Sequence, residues 1–190
     1  MSEKASSSGP RVPRRVVLVL PFVMFALIAL TVGLLESRTL RSPYQTPFFH
    51  FFFSDTLHMK VWLVTAALLL GVGQLLTASR IYGLLRFPPP GGFYNVVHRW
   101  SGRAAVVLTL PAAYHCVFLL GFGTSDARVY IHSILGSCLY GALFAKVWIV
   151  RARGFPGYAL PVAGGALFSI LLGIWLSSAL WFIRKFGMSI

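Results

Sequence analysis

Five stretches of apolar residues, at 16–35, 56–85, 94–120, 127–150 and 160–183, set the limits on what this chain can become. The hydrocarbon core of a bilayer is ~30 Å thick, and a helix rising 1.5 Å per residue crosses it in about 20 residues. Lipid offers the backbone no hydrogen-bond partner, so a stretch that crosses must be helical. The expected fold is therefore all-α, an integral membrane bundle of about five transmembrane helices in one domain. Composition agrees: 57% of the 190 residues are apolar and 11% charged, against roughly 25% charged in a soluble domain.

The net charge of +13 comes from 17 basic and 4 acidic residues. In a soluble protein such a surplus would suggest nucleic acid. Here the bases sit between the apolar stretches, at headgroup level, where they set topology. The expected partner is the lipid bilayer, not nucleic acid. The N-terminus, the 80–103 region and the 146–153 region hold most of the basic residues and fall on one side of a five-helix path. That side is expected to be cytoplasmic, in a bacterial inner (cell) membrane, with Glu36, Asp55 and Asp126 opposite. Arg184 and Lys185 land on the outer side, against the trend.

Residues 1–15 are polar and basic and are expected to be disordered. The first apolar stretch is too long for a signal-peptide core and no A-x-A site follows it, so it reads as a retained helix. Residues 36–57 carry Phe48, Phe49, Phe51, Phe52 and Phe53 around His50. Aromatics favour the membrane interface, so this loop is expected to lie along the surface. Cys116 and Cys138 both fall inside apolar stretches without a C-x-x-C, which excludes a disulfide scaffold, a zinc ribbon and c-type haem attachment.

The five histidines carry the chemistry. An ionisable residue within a spanning helix is costly and marks function, and histidine is the usual axial ligand of haem iron in a helical bundle. His115 lies six residues before Gly121, or ~9 Å along the helix; His132 lies four after Arg128, or ~6 Å; His58 lies three after Asp55, or ~5 Å. All three belong to one leaflet, near one level, and two of them would suffice for a six-coordinate b haem. His98 sits at the opposite end of the third stretch. From 98 to 115 the helix turns ~1,700°, about 100° short of five full turns, so the two side chains leave on different faces. An inner haem would need a partner such as Lys146. Gly102 and Gly136, each four residues after a histidine, could leave room for a flat macrocycle or promote close helix packing. Pro111, four before His115, should bend its helix. The alternative for His115 and His132 is an interhelical hydrogen bond, with Tyr114, Tyr130 and Ser133 available.

The segment His98-Arg99-Trp100-Ser101-Gly102-Arg103, an apolar stretch and then His115 resembles the histidine-bearing helix of ferric-reductase-like and bacterial b561-type membrane cytochromes. The resemblance covers roughly residues 56–152. It implies a helical bundle that holds b haem by a histidine pair and moves electrons across or along the membrane. The histidine step departs from the ferric-reductase pattern, in which it is nearer 14, and the fifth helix has no histidine for a second b561 pair. The resemblance thus implies one haem at most. It would pair His58 with His132, whereas depth alone pairs His115 with His132. The second pair is taken first, because both residues lie inside apolar stretches; His58 is the substitute. Arg99, Arg103 and Arg128 are candidates for anionic propionates or lipid phosphate, and only Arg128 lies on the side of an outer haem.

No nicotinamide, flavin or nucleotide fingerprint appears, and no acidic residue is expected deep in a helix. A redox protein of this kind relays electrons between partners, a quinol or a redox protein, and is an electron-transfer subunit more than a complete enzyme. The other reading is a non-catalytic accessory or assembly protein whose histidines join helices.

Overall fold

In a computed structural model, residues 14–38, 49–89, 91–152 and 154–187 are described, and they contain helices and no strand. Helix α1 spans Arg14–Arg38, α2 Thr56–Ile81 and α3 Phe93–Tyr114. A π-helical turn, His115–Leu120, continues α3. Helix α4 spans Ala127–Arg151, α5 Ala159–Ser177 and α6 Ala179–Phe186. Five helical rods of 24 to 28 residues are long and apolar enough to cross a membrane. This exceeds the ~20 residues a bilayer requires, so each rod projects or tilts.

The helices alternate in direction. One end of the bundle collects the start of α1, the end of α2, the start of α3 and the end of α4; it is called the arginine end. The other carries Asp55 and Asp126 and is called the aspartate end. Both aspartates are N-caps. Asp55 accepts the Leu57 and His58 amides and Asp126 accepts that of Val129. A carboxylate here also complements the positive end of the helix dipole.

Helix α2 packs along α3, α1 along α4, and α4 along α5, with a lesser contact between α2 and α5. Helices α3 and α4 make almost no close backbone contact. Val64 and Leu68 of α2, Ala112 of α3 and Leu171 and Ile174 of α5 form the core. Phe22, Leu30, Leu69, Val107 and Val162 point outward, as lipid-facing residues do.

Helices in lipid have little hydrophobic reason to associate, so close packing and polar contacts hold them together. The closest approaches are at glycines. A Cβ on Gly141 would stand 2.7 Å from the Phe25 carbonyl oxygen of α1, and one on Gly173 2.6 Å from Leu135 Cδ1. Gly102 admits the Gln74 amide, where a Cβ would meet Oε1 at 3.0 Å, and Gly136 faces Glu36 of α1. Gly102 thus lets α2 approach α3 closely.

The structure revises several boundaries. Helix α2 stops at Ile81, not at 85, because Gly83 turns to a φ of +74° and Leu84 folds back onto the Ser79 carbonyl. The last rod is broken at Ser178, where two serines in succession compete for the carbonyls of Gly173 and Ile174. Residues 1–13 and 39–48 lie outside the described residues, so the expected disordered tail and most of the aromatic loop, Phe48 included, are not described; Arg14 and Arg15 already belong to α1. Phe51 and Phe52 are exposed.

Gly141 has backbone, not a flexible side chain, in the way of any substituent. Gly141→Ala should therefore lower stability by about 1–3 kcal/mol, read by denaturant titration in detergent. Gly164→Ala, where a Cβ meets nothing within 4 Å, serves as the neutral control.

Candidate functional site: histidines locked by their Nδ1 atoms

His115 is the first residue of the π-helical turn and is 0% exposed. Its Nδ1 lies 2.8 Å from the Pro111 carbonyl, one turn back on its own chain. A carbonyl only accepts, so Nδ1 carries the proton and Nε2 the lone pair. Phe49 covers the ring, with centroids 4.4 Å apart. Proline and π-turn work together here. The turn closes with the Gly121 amide on the Cys116 carbonyl, 2.9 Å, and Gly121 ends it at a φ of +71°. Such π-turns are frequent at functional sites.

His132 stands in the second turn of α4, and its Nδ1 lies 3.2 Å from the Ser177 hydroxyl of α5. Ser177 directs its one proton to the Gly173 carbonyl at 2.7 Å. The serine oxygen is thus left to accept, and His132 too is the Nδ1–H tautomer. His98 repeats the arrangement at the arginine end: its Nδ1 lies 2.9 Å from Thr77 Oγ1, and Thr77 donates to the Gly73 carbonyl at 2.7 Å. His58 Nδ1 faces Asp55 Oδ2 at 2.6 Å while its ring edges against Phe182 of α6. His50 Nδ1 faces the Phe53 carbonyl at 2.6 Å and is exposed. In all five histidines the engaged ring atom is Nδ1.

Thr109 and Tyr140 provide a ruler across the space between α3 and α4, their hydroxyls 3.1 Å apart. His115 lies six residues beyond Thr109, or ~9 Å, and His132 eight residues from Tyr140, or ~12 Å, so the two imidazoles stand within ~3 Å of one level. The Lys60 ammonium, on α2, acts electrostatically on both. His58, His115 and His132 share the aspartate end; His98 is at the other, where Lys146 acts on it electrostatically.

Arg128 sits one turn before His132. Its Nη1 donates to the Ser177 carbonyl at 2.7 Å, its guanidinium lies 4.1 Å over Trp181, and Nη2 is 3.7 Å from Asp126. It therefore braces the break between α5 and α6. At the arginine end Arg99 bonds the Asn95 carbonyl and Arg103 lies over Trp100. Interhelical partners are Ser177 and Thr77, not the Tyr114, Tyr130 and Ser133 that sequence proximity suggests; Ser133 instead takes the Gly123 amide.

Two polar residues escape a reading of the sequence. Lys60 lies inside an apolar stretch, and that is its only signal. Glu36 looks like a loop residue, yet it is 4% exposed, with Oε2 3.1 Å from the Ser137 hydroxyl of α4. It lies in the last turn of α1, at a helix end and not deep within the helix, but it is packed against α4 and does not belong to a loop.

Among the described residues, no three His, Cys, Asp or Glu side chains gather as a metal set.

Fold and site define a helical bundle, suited to spanning a membrane, with histidines engaged through Nδ1 at both ends. The chain belongs to a family whose model matches residues 18–190, described as a family of unknown function (DUF6529). No curated protein and no solved structure matches it. The likeness to membrane b cytochromes rests on the histidines and the His98–Arg103 segment alone.

Asp55 holds His58 and caps α2 together. The His58 amide above all lowers its carboxyl from the usual aspartate value; burial opposes it, and the His58 ring and the Leu57 amide add to the lowering. A lowered carboxyl stabilises the fold above the ordinary aspartate value and loses that contribution as pH falls through its folded value. Acidification below pH ~4 should thus speed hydrogen exchange at the Leu57 and His58 amides. Asp55→Ala should show that fraying already at neutral pH, at a cost of about 1 kcal/mol.

Proposed function

We propose that this protein is a membrane cytochrome of the b type, holding one haem between His115 and His132 at the aspartate end, with His58 as the substitute ligand. The observation that carries the reading is the shared tautomer of the two histidines. A histidine that ligates metal through Nε2 usually donates its other N–H to a carbonyl, carboxylate or similar acceptor, which orients the ring and raises its basicity. Pro111 and Ser177 provide those acceptors. The near-common level of the rings, and the lack of close backbone packing between α3 and α4, fit a flat group between them.

When bound, a b haem supplies one-electron chemistry, its iron passing between Fe(III) and Fe(II). The chain's own residues do the rest. Phe49 keeps water from His115. Lys60, on α2, acts electrostatically on both rings. Arg128 sets the end of α5 and hence the Ser177 hydroxyl under His132. With donor and acceptor outside the chain, a quinol or a redox protein on the outer face, the protein is an electron-transfer subunit.

A second reading has its own observation. His132–Ser177 and His98–Thr77 join neighbouring helices, as in an accessory or assembly protein whose histidines are structural. Absorption spectra separate the two. Protein purified from haem-supplied cells should show a Soret band and, after dithionite, a sharp α-band. His115→Ala and His132→Ala should each lose these bands while the protein still partitions into membranes. Full retention in both variants would overturn the assignment, and a colourless wild type would favour the second reading. Ser177→Ala should weaken haem retention about 10- to 100-fold, the usual effect of losing a ligand's hydrogen-bond partner.

A further inference from the structure

The hydroxyls between helices follow one rule. Thr65 directs its proton to the Val61 carbonyl on its own helix, 2.7 Å, and accepts the Trp175 N–H of α5 at 2.9 Å. Thr77 returns its proton to Gly73 and accepts from His98; Ser177 returns its proton to Gly173 and accepts from His132. Ser137 of α4 has the same geometry. It lies 2.9 Å from the Ser133 carbonyl, one turn back, and 3.1 Å from Glu36 Oε2 of α1. One hydroxyl proton cannot serve two acceptors. If Ser137 behaves like the other three, the carboxyl must supply the second proton.

The surroundings of Glu36 point the same way. It is 4% exposed at the end of α1, and among the described residues no cation pairs with it. From α4 it faces Ser137 and the bare backbone of Gly136, with Oε1 4.0 Å from where a Cβ would stand. From the connection between the π-turn and α4 it receives the Phe122 amide on its backbone oxygen. The titratable and charged side chains on those elements are Asp126 of the connection, His115 and Cys116 on the π-turn, and on α4 Arg128, Tyr130, His132, Cys138, Tyr140 and, at its far end, Lys146 and Arg151. An ion at this depth without a counter-charge is costly.

We propose that Glu36 is a proton-binding site: a carboxylic acid held neutral between α1 and α4, which exchanges its proton with water at the aspartate end. Thr124, Ser125 and Asp126, on the same connection as Phe122, are exposed and bring water close. When the proton leaves, the carboxylate is met by Ser137, whose hydroxyl turns from the Ser133 carbonyl to Oε2. When it returns, Ser137 turns back. No electron moves and no other bond breaks. This site stands on the α1–α4 geometry and does not depend on the haem assignment.

Two measurements on the full chain in lipid nanodiscs test it. Infrared spectroscopy at neutral pH should show a carboxylic-acid carbonyl band that shifts in D2O, is lost in Glu36→Gln and moves in Ser137→Ala. On the wild type alone, dicyclohexylcarbodiimide, a lipid-soluble reagent that attacks protonated carboxyls, should leave a mass adduct on the Glu36 peptide, and raising the pH should reduce it. A wild-type Glu36 that stays unlabelled at every pH, or a neutral-pH spectrum unchanged by Glu36→Gln, would overturn the proposal. The labelling needs no variant, so a folding failure of Glu36→Gln cannot hide the answer.

Discussion

A polar atom between helices in a bilayer has no water to fall back on, and the organisation of this bundle follows from that constraint. Serine and threonine can donate to the carbonyl one turn back on their own helix, which satisfies the proton and leaves the oxygen facing the neighbour as an acceptor. Thr65, Thr77 and Ser177 all do this. The neighbour must then be a donor, and it is: an indole and two imidazoles. The tautomers of His98 and His132 are a by-product of how helices in lipid dispose of hydroxyl protons. A ligand set for metal and an interhelical clasp use the same bonds, which is why both functional readings begin from the same atoms.

Packing obeys a related economy. Where helices touch, one of them contributes a glycine: Gly141 against Phe25, Gly173 against Leu135, Gly71 against Phe168 and Leu171. Helices α3 and α4 lack such a seam and are joined through the long side chain of Tyr140. The space between them is thus defined by side chains, and His115 and His132 stand at one end of it.

The five spanning rods were legible in the sequence because the bilayer sets a length that apolar stretches must match. Their ends were less so. The stop of α2 at Ile81 depends on Gly83 adopting a positive φ, and nothing in an apolar run announces it. The break at Ser178 could be suspected from two adjacent serines, but only Arg128 on the Ser177 carbonyl shows how the freed group is satisfied. The division of His58, His115 and His132 from His98 could be read from rise per residue. Their partners could not, because Thr77 and His98, or His132 and Ser177, meet through packing between segments distant in the chain. Glu36 shows the limit most clearly. Adjacent to polar residues it reads as loop, and it becomes a core residue only because α1 lies on α4.

The π-turn at His115 has a consequence for comparing relatives of this chain. A turn closed from residue i to i−5 accommodates one residue more than an α-turn, so the residues within and after it are out of phase with the helix before it. A helical wheel drawn straight through 93–120 would place Val117 and Leu119 by the wrong angle, although both are buried. A relative lacking one residue after its histidine would keep the histidine in place and change the phase of the residues that follow it. A one-residue gap there, trivial in an alignment, would separate members of the family into two geometries.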